Sequence, residues 1–258
     1  YLQIYNQQRK ESGFTVLAMS SYTYVDMTEN WLRSIETLHI YPNITIIATD
    51  LAAYNELTKF SDSLSLIQAP TPRKPGDRSY THFRWKYVLD LLQRNQDVLV
   101  SDVDTVWLEN PFPYFWNRHD IFISWNPVSK RCPGLIFLRS TQNTIQFVTE
   151  FINRLSKEDS DTKVLNFMID NQVIPTLTYS ILDPLRFISG WFYFNDDWRT
   201  RHANVSPVVI HANGINMTSK DADWHDAKVK HLKKYGLWFN GNAKLTWEAG
   251  TASFVVAK

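Results

Sequence analysis

Residues 97–111 run Asp97-Val-Leu-Val-Ser-Asp-Val-Asp-Thr-Val-Trp-Leu-Glu-Asn-Pro111. Val98, Leu99 and Val100 form an apolar run with no polar alternation, the pattern of a strand buried on both faces. Two carboxylates, Asp102 and Asp104, emerge where that strand ends, and Val106-Trp107-Leu108 follows at once. Acids held between apolar segments are costly unless something neutralises them. A hard divalent cation with oxygen ligands does so, and a spacing of two suits a single ion. In open α/β sheets, ligands bind outside the carboxyl ends of the strands, which is where this pair falls.

The same grammar repeats on the N-terminal side. Phe14–Ser20 reads as a first buried strand, Thr28–Leu38 as a helix with Trp31, Ile35 and Leu38 on one side, Asn43–Thr49 as a second strand closed by Asp50, Leu51–Phe60 as a helix and Ser63–Gln68 as a third strand. Pro70–Ser79, basic and rich in proline, reads as a surface loop and a candidate lid. Tyr80–Arg94 is expected to be a helix with Phe83, Tyr87, Val88 and Leu91 on one side. Alternating strands and helices predict an α/β fold with a mostly parallel central sheet covered by helices on both faces.

Toward the C-terminus, Ile121–Ser124 and Gly134–Arg139 read as further strands, and Thr141–Leu155 and Asp161–Asp170 as helices. Pro184–Phe187, Trp191–Phe194 and Val208–His211 read as short strands of a small antiparallel sheet. Ser219–Tyr235 is a basic helix with Gly236 as its C-cap. The strand Val208-Val-Ile-His211 delivers a polar tip, and its imidazole can complete a metal shell. No repeat or linker interrupts the 258 residues, so a single domain over residues 1–258 is expected, with about 14–110 handling a nucleotide and about 111–258 an acceptor.

Composition sets limits. A net charge of +1 gives no global field for nucleic acid. Cys132 is the only cysteine, so no internal disulfide or cysteine-based metal site can form. The ten Trp residues are expected partly in the core and partly on a sugar-binding cleft. No apolar run is long enough to span a bilayer and no signal peptide is visible. Three sequons, at Asn43, Asn204 and Asn216, suit a secretory compartment.

The ordered set of motifs resembles glycosyltransferase family 77, whose nucleotide-diphospho-sugar transferase domain has the GT-A fold and retains anomeric configuration. Residues 97–111 resemble its D-x-D segment, and Trp85-Lys86 a Trp/Lys position before it. Pro133–Ser140 resembles its G-F-x-x-x-R-S strand, and Asp161 through Leu165-Asn166 its D-Q-x-x-F-N segment. Phe187–Gly190 with Tyr193-Phe194, His211-Ala-Asn213 and Gly236-Leu-Trp238 resemble its remaining motifs in order. Thr162 stands where the family usually has Gln, and Cys132-Pro133 where Asn is common before the Gly.

The resemblance implies a retaining transferase that moves galactose, xylose or arabinose from a UDP-sugar to a glycan or glycoprotein hydroxyl. It implies Mn²⁺ or Mg²⁺ on Asp102, Asp104 and His211, with Lys86 and Asp161 catalytic. Ser20, Ser21, Tyr22 and Asp50 would meet the nucleoside. Val103, Gly134, Gly190, Asn213, Gly214 and a lysine of the following helix (Lys220, Lys228 or Lys230) would meet the diphosphate or sugar. The compartment implied is the Golgi lumen, through an N-terminal anchor preceding this stretch, with the cytoplasm as the other option. Two further readings compete: a metal-dependent phosphohydrolase or nucleotidyltransferase drawing on Asp196-Asp197 for a second metal, and a non-catalytic carbohydrate-binding module.

Overall fold

A computed structural model describes residues 14–60, 64–70, 79–155, 160–215, 217–218 and 221–240. Most of the proposed lid, together with Asn216 and Lys220, lies outside the described residues. In chain order the elements are β1 (Phe14–Ser20), α1 (Val25–Glu36), β2 (Ile44–Ala48), α2 (Leu51–Leu57), β3 (Ser65–Gln68), α3 (Ser79–Gln93), β4 (Asp97–Ser101), β5 (Thr105–Trp107), β6 (Ile121–Asn126) and β7 (Lys130–Leu138). There follow α4 (Gln142–Leu155), α5 (Asp161–Asp170), β8 (Tyr179–Ile181), β9 (Phe187–Ser189), α6 (Gly190–Tyr193), α7 (Asp196–Arg201), β10 (Val209–His211) and α8 (Trp224–Lys234).

The main sheet has seven strands in the order β3-β2-β1-β4-β7-β6-β8. The first four are mutually parallel. β7 runs against both β4 and β6, and β8 runs parallel to β6. Reversing β7 brings its first residues beside the end of β4, and reversing again brings the end of β6 there too. One sheet edge therefore collects Ser101, Cys132 and Trp125.

Two cores flank this sheet because alternate residues of a buried strand face opposite sides. Val16 and Leu99 join Trp31, Trp107 and Phe137 on one side. Leu17, Val98 and Val100 join Trp85, Val88 and Phe151 on the other. Trp31, Trp85 and Trp107 are fully buried. At about 25 cal/mol per Å² and roughly 200 Å² a ring, each contributes about 5 kcal/mol of transfer free energy before entropy is charged against it.

Several sequence expectations change: the strand expected at Pro184–Phe187 is Phe187–Ser189, and the basic helix α8 starts at Trp224. The small sheet, β5-β10-β9, is mixed: β10 is antiparallel to β5 but parallel to β9. Trp191–Phe194 is not a strand, because Ser189 Oγ accepts a hydrogen bond from Trp191 N and caps the single helical turn α6. Asp196-Asp197 lies on a helix: Asn195 caps α7 and these acids fill its first turn. Gly236 does end α8, at φ +71°, with Leu237 N donating to Leu232 O and Gly236 N to Lys233 O.

Candidate functional site

The acidic turn after β4 is fixed from several directions. Asp102 N donates to Gly134 O at 2.7 Å, tying it to β7. Asp102 O accepts from Thr105 Oγ1 at 2.8 Å, and Ala212 N donates to Asp104 O at 2.9 Å. The last contact couples the turn to the end of β10, where the main chain presents His211.

The three predicted ligands come together. Ligand atoms of Asp102, Asp104 and His211 all lie within 4.8 Å of one another. His211 Nε2 is 3.1 Å from Asp104 Oδ1 and 3.8 Å from Asp102 Oδ2. Asp104 and His211 are buried, while Asp102 is partly open. On the other side of the ring, His211 Nδ1 lies 3.1 Å from Asn213 Nδ2 and 3.9 Å from Cys132 Sγ. Asn213 Oδ1 accepts from Ser189 Oγ at 2.6 Å, so the imidazole is oriented from behind.

Two glycines make room. A Cβ on Gly134 would overlap Asp102 Oδ2 and lie 2.5 Å from His211 Cε1. A Cβ on Gly190 would lie 2.7 Å from Asn213 O. Two carboxylates and an imidazole converging over a glycine suit Mn²⁺ or Mg²⁺ in donor type, so the residues present fit such an ion.

Two cations also enter the cluster. Lys228 Nζ of α8 lies 2.7 Å from Asp104 Oδ2. Burial opposes the charge on Asp104, but Lys228 and His211 outweigh it and hold its carboxyl far below the usual range. Lys228 is likewise pushed well above an ordinary lysine by Asp104, against burial. Arg84, buried on α3, places Nη1 3.1 Å from Asp102 Oδ1 and Nη2 2.6 Å from Asp161 Oδ2. Asp161 sits in the first turn of α5, behind the cap Ser160.

Lys86 was the cation expected from α3, but it is exposed. Residues two apart on a helix point about 200° apart, so Arg84 and Lys86 cannot share a face. Arg84 lies on the same stripe as Val88 and Leu91, at i, i+4 and i+7, and that spacing was the available signal. Lys228 stands at the cluster from the basic helix whose lysines were singled out.

A cavity of about 310 Å³ opens beside the acids, lined by Ser20, Ser21, Tyr24, Thr49, Tyr80, Asp102, Val103, Asp104 and Lys228 among others. Ser20 and Ser21, expected at the nucleoside, and Val103, expected at the diphosphate or sugar, all line this cavity. Tyr22 is exposed and does not line the cavity. Asp50 spends its carboxylate on structure: Oδ1 accepts from Ala53 N at 2.8 Å and Oδ2 from Tyr22 N at 3.0 Å. Tyr24, Thr49 and Tyr80 had no distinguishing signal in the sequence. Gly190, Asn213 and Gly214 lie behind and beside His211 rather than in the cavity.

The fold and this site define a GT-A glycosyltransferase architecture. Among solved structures, galactosyltransferase LgtC in complex with donor and acceptor sugar analogues aligns at TM-score 0.57 and 11% identity, over 89% of this chain and 98% of that one. The profile of the family described as nucleotide-diphospho-sugar transferase matches residues 39–224. The chain belongs to that family, as the motif resemblance implied, and is a glycosyltransferase. A UDP-D-xylose:L-fucose α-1,3-D-xylosyltransferase of Arabidopsis thaliana is 24% identical, over 88% of this chain and 71% of its own length. A UDP-galactose:fucoside α-3-galactosyltransferase of Dictyostelium discoideum is 28% identical, over 89% of this chain and 43% of its own length. Among the described residues no helix is long and apolar enough to cross a membrane.

Proposed function

We propose that the chain is a metal-dependent, retaining glycosyltransferase that moves xylose, galactose or arabinose from a UDP-sugar to a glycan or glycoprotein hydroxyl. The observation that carries this reading is the convergence of Asp102, Asp104 and His211, the two acids also lining a cavity of about 310 Å³. Residues 14–110 then serve the nucleotide and 111–258 the acceptor. Relatives that use UDP-xylose and UDP-galactose support the donor class. Exposed sequons at Asn43 and Asn204 support work in the Golgi lumen.

Asp102, Asp104 and His211 would hold Mn²⁺ or Mg²⁺. When bound, the ion supplies Lewis-acid stabilisation of charge on the leaving diphosphate. Lys228, released from Asp104, donates to a phosphate oxygen. Asp161 orients the sugar, held in turn by Arg84. The bond from the anomeric carbon to the phosphate oxygen breaks with its electron pair leaving on phosphate. The acceptor oxygen bonds to the same face, and its proton passes to the departing phosphate oxygen. A covalent route through Asp161 is less well supported, because Oδ2 is engaged by Arg84 and Oδ1 accepts from Thr162 N at 2.8 Å.

The competing hydrolase reading needs a second acidic set. Among the described residues the cluster around His211 is the one three-residue group of metal-ligating side chains, and Asp196, on α7, accepts from Tyr235 Oη and Lys234 Nζ at the end of α8.

Thermal unfolding with UDP, Mn²⁺ and both together tests the proposal. The two together should raise the melting temperature more than the sum of their separate effects, since on this reading the ion and the diphosphate contact each other and each strengthens the other's binding to the native state. Absence of any nucleotide-dependent shift, together with no turnover of UDP-xylose, UDP-galactose or UDP-arabinose, refutes it.

A further inference from the structure

We propose that the partly exposed rings of Trp191, Trp125, Phe192 and Trp198 form the platform on which the acceptor glycan rests. This deepens the transferase reading and rests on it.

Placement comes first. The cavity takes its walls from the ends of β1 and β2, on one side of β4. The transferred sugar must meet its acceptor beyond the metal cluster, on the side of β7, β6 and β8. Trp125 lies at the ligand-facing end of β6. It pairs with Arg131, while the preceding residue, Ser124, pairs with Cys132. Cys132 Sγ is in turn 3.9 Å from His211 Nδ1. Trp191 approaches from the other direction, in the turn that starts at Gly190. A Cβ on Gly214 would lie 3.3 Å from Trp191 Cβ and 3.6 Å from its Cε3, so Trp191 lies against the turn just past His211.

Three of the four rings form a ladder, and Trp191 stands apart from it against Gly214. Trp125 and Phe192 stack with centroids 5.8 Å apart and planes 10° from parallel, and Phe192 and Trp198 follow at 6.0 Å and 32°. Trp198 stacks on His202 at 4.2 Å and 15°. The core indoles of Trp31, Trp85 and Trp107 are 0% exposed, whereas Trp191 is 47% exposed. Large aromatic surface left open beside a site marks contact with a ligand rather than packing.

The occupant follows from chemistry. The face of a pyranose carries C–H groups, which suit the negative face of an aromatic ring, while its hydroxyls stay hydrated or bond to polar neighbours. Exposed polar residues border these rings in the chain: Asn195, Asp196 and Asp197 lie between Phe192 and Trp198, and Arg199 follows. A glycan suits such a hydrated border, whereas an acyl chain or an apolar helix gains nothing from it.

A printed glycan array of fucosides, galactosides, xylosides and arabinosides, probed in UDP and Mn²⁺, tests the platform. Trp191→Ala and Trp125→Ala should each lower retention of the bound glycans at least tenfold, and Trp191→Phe should restore most of it. The UDP–Mn²⁺ melting shift, which reads the opposite side of the cluster, should persist in all three. Trp116→Ala is the control: Trp116 is 81% exposed but lies at the other sheet end, between Phe115 and Asn117, whose carbonyls accept from Arg139 Nη2. Equal retention by wild type and both alanine variants overturns the platform. So does the absence of glycan retention by a wild-type chain that binds UDP–Mn²⁺. A wild-type chain that neither binds UDP–Mn²⁺ nor turns over donor defeats the transferase reading instead.

Discussion

Lys228 Nζ sits 2.7 Å from Asp104 Oδ2, while His211 Nε2 faces Oδ1 of the same carboxylate. On the proposed mechanism the lysine and the cation compete for that carboxylate until a diphosphate draws Lys228 away. Lys228→Met should strengthen binding of Mn²⁺ alone, read by titration calorimetry. The same variant should lower kcat/KM about a hundredfold, the usual effect of losing one donor to developing charge. Weaker Mn²⁺ binding in the variant would contradict this competition.

Arg84 bridges Asp102 and Asp161 from a buried position. Removing one partner of a buried ion pair costs about 3 kcal/mol or more. Arg84→Met should therefore lower the melting temperature by roughly 10 °C. Arg84→Lys keeps the charge but loses the fork that reaches both acids. It should melt closer to wild type and still lose kcat about a hundredfold. Full activity in Arg84→Lys would show that the bridge does not position Asp161.

Gly134→Ala adds a methyl group where Asp102 Oδ2 and the His211 ring already stand. The chain should fold, as read by circular dichroism, and lose the Mn²⁺-dependent part of its melting shift. A retained Mn²⁺ response would mean that these two side chains can part without cost to the ion.

Asp120 offers a pH test away from the cluster. Burial pushes its carboxyl up, but hydrogen bonds from Thr141, Thr178 and Asn143 outweigh this and hold it below its ordinary value. A depressed folded pKa means the unfolded chain binds the proton more tightly. Asp120 therefore contributes stability that is fully present above about pH 4. That contribution is lost as pH falls through the lower, folded value. Asp120→Asn should be less stable at neutral pH and should lose less stability than wild type between pH 5 and 3. Parallel stability curves would contradict the assignment.

Much of the fold could be read because buried parallel strands leave continuous apolar runs, as in Val98–Val100, and because helices between them show a 3.6-residue period. The acid pair was legible from its place at a strand end. His211 was legible as a polar tip on a short apolar run, but only the resemblance tied it to Asp102 and Asp104 across more than a hundred residues. The resemblance points to Lys86 through its place after Trp85, whereas Arg84 carries no motif and is marked only by its place on the apolar stripe of α3. Trp191–Phe194 reads as a strand in the sequence, and its aromatic side chains do favour strands. The Ser189 cap that decides otherwise depends on one hydroxyl.

Asp104 pairs with a lysine 124 residues later in the chain. During synthesis the acids of the β4 turn emerge long before His211 and Lys228; Arg84 is already present to meet Asp102, but Asp104 lacks its partners until they follow. Docking of α8 thus completes the site and supplies the last of those partners in one step. A ribosome-bound chain halted before Trp224 should stay open around β4 and be cut there by protease. One released after Lys234 should resist cleavage.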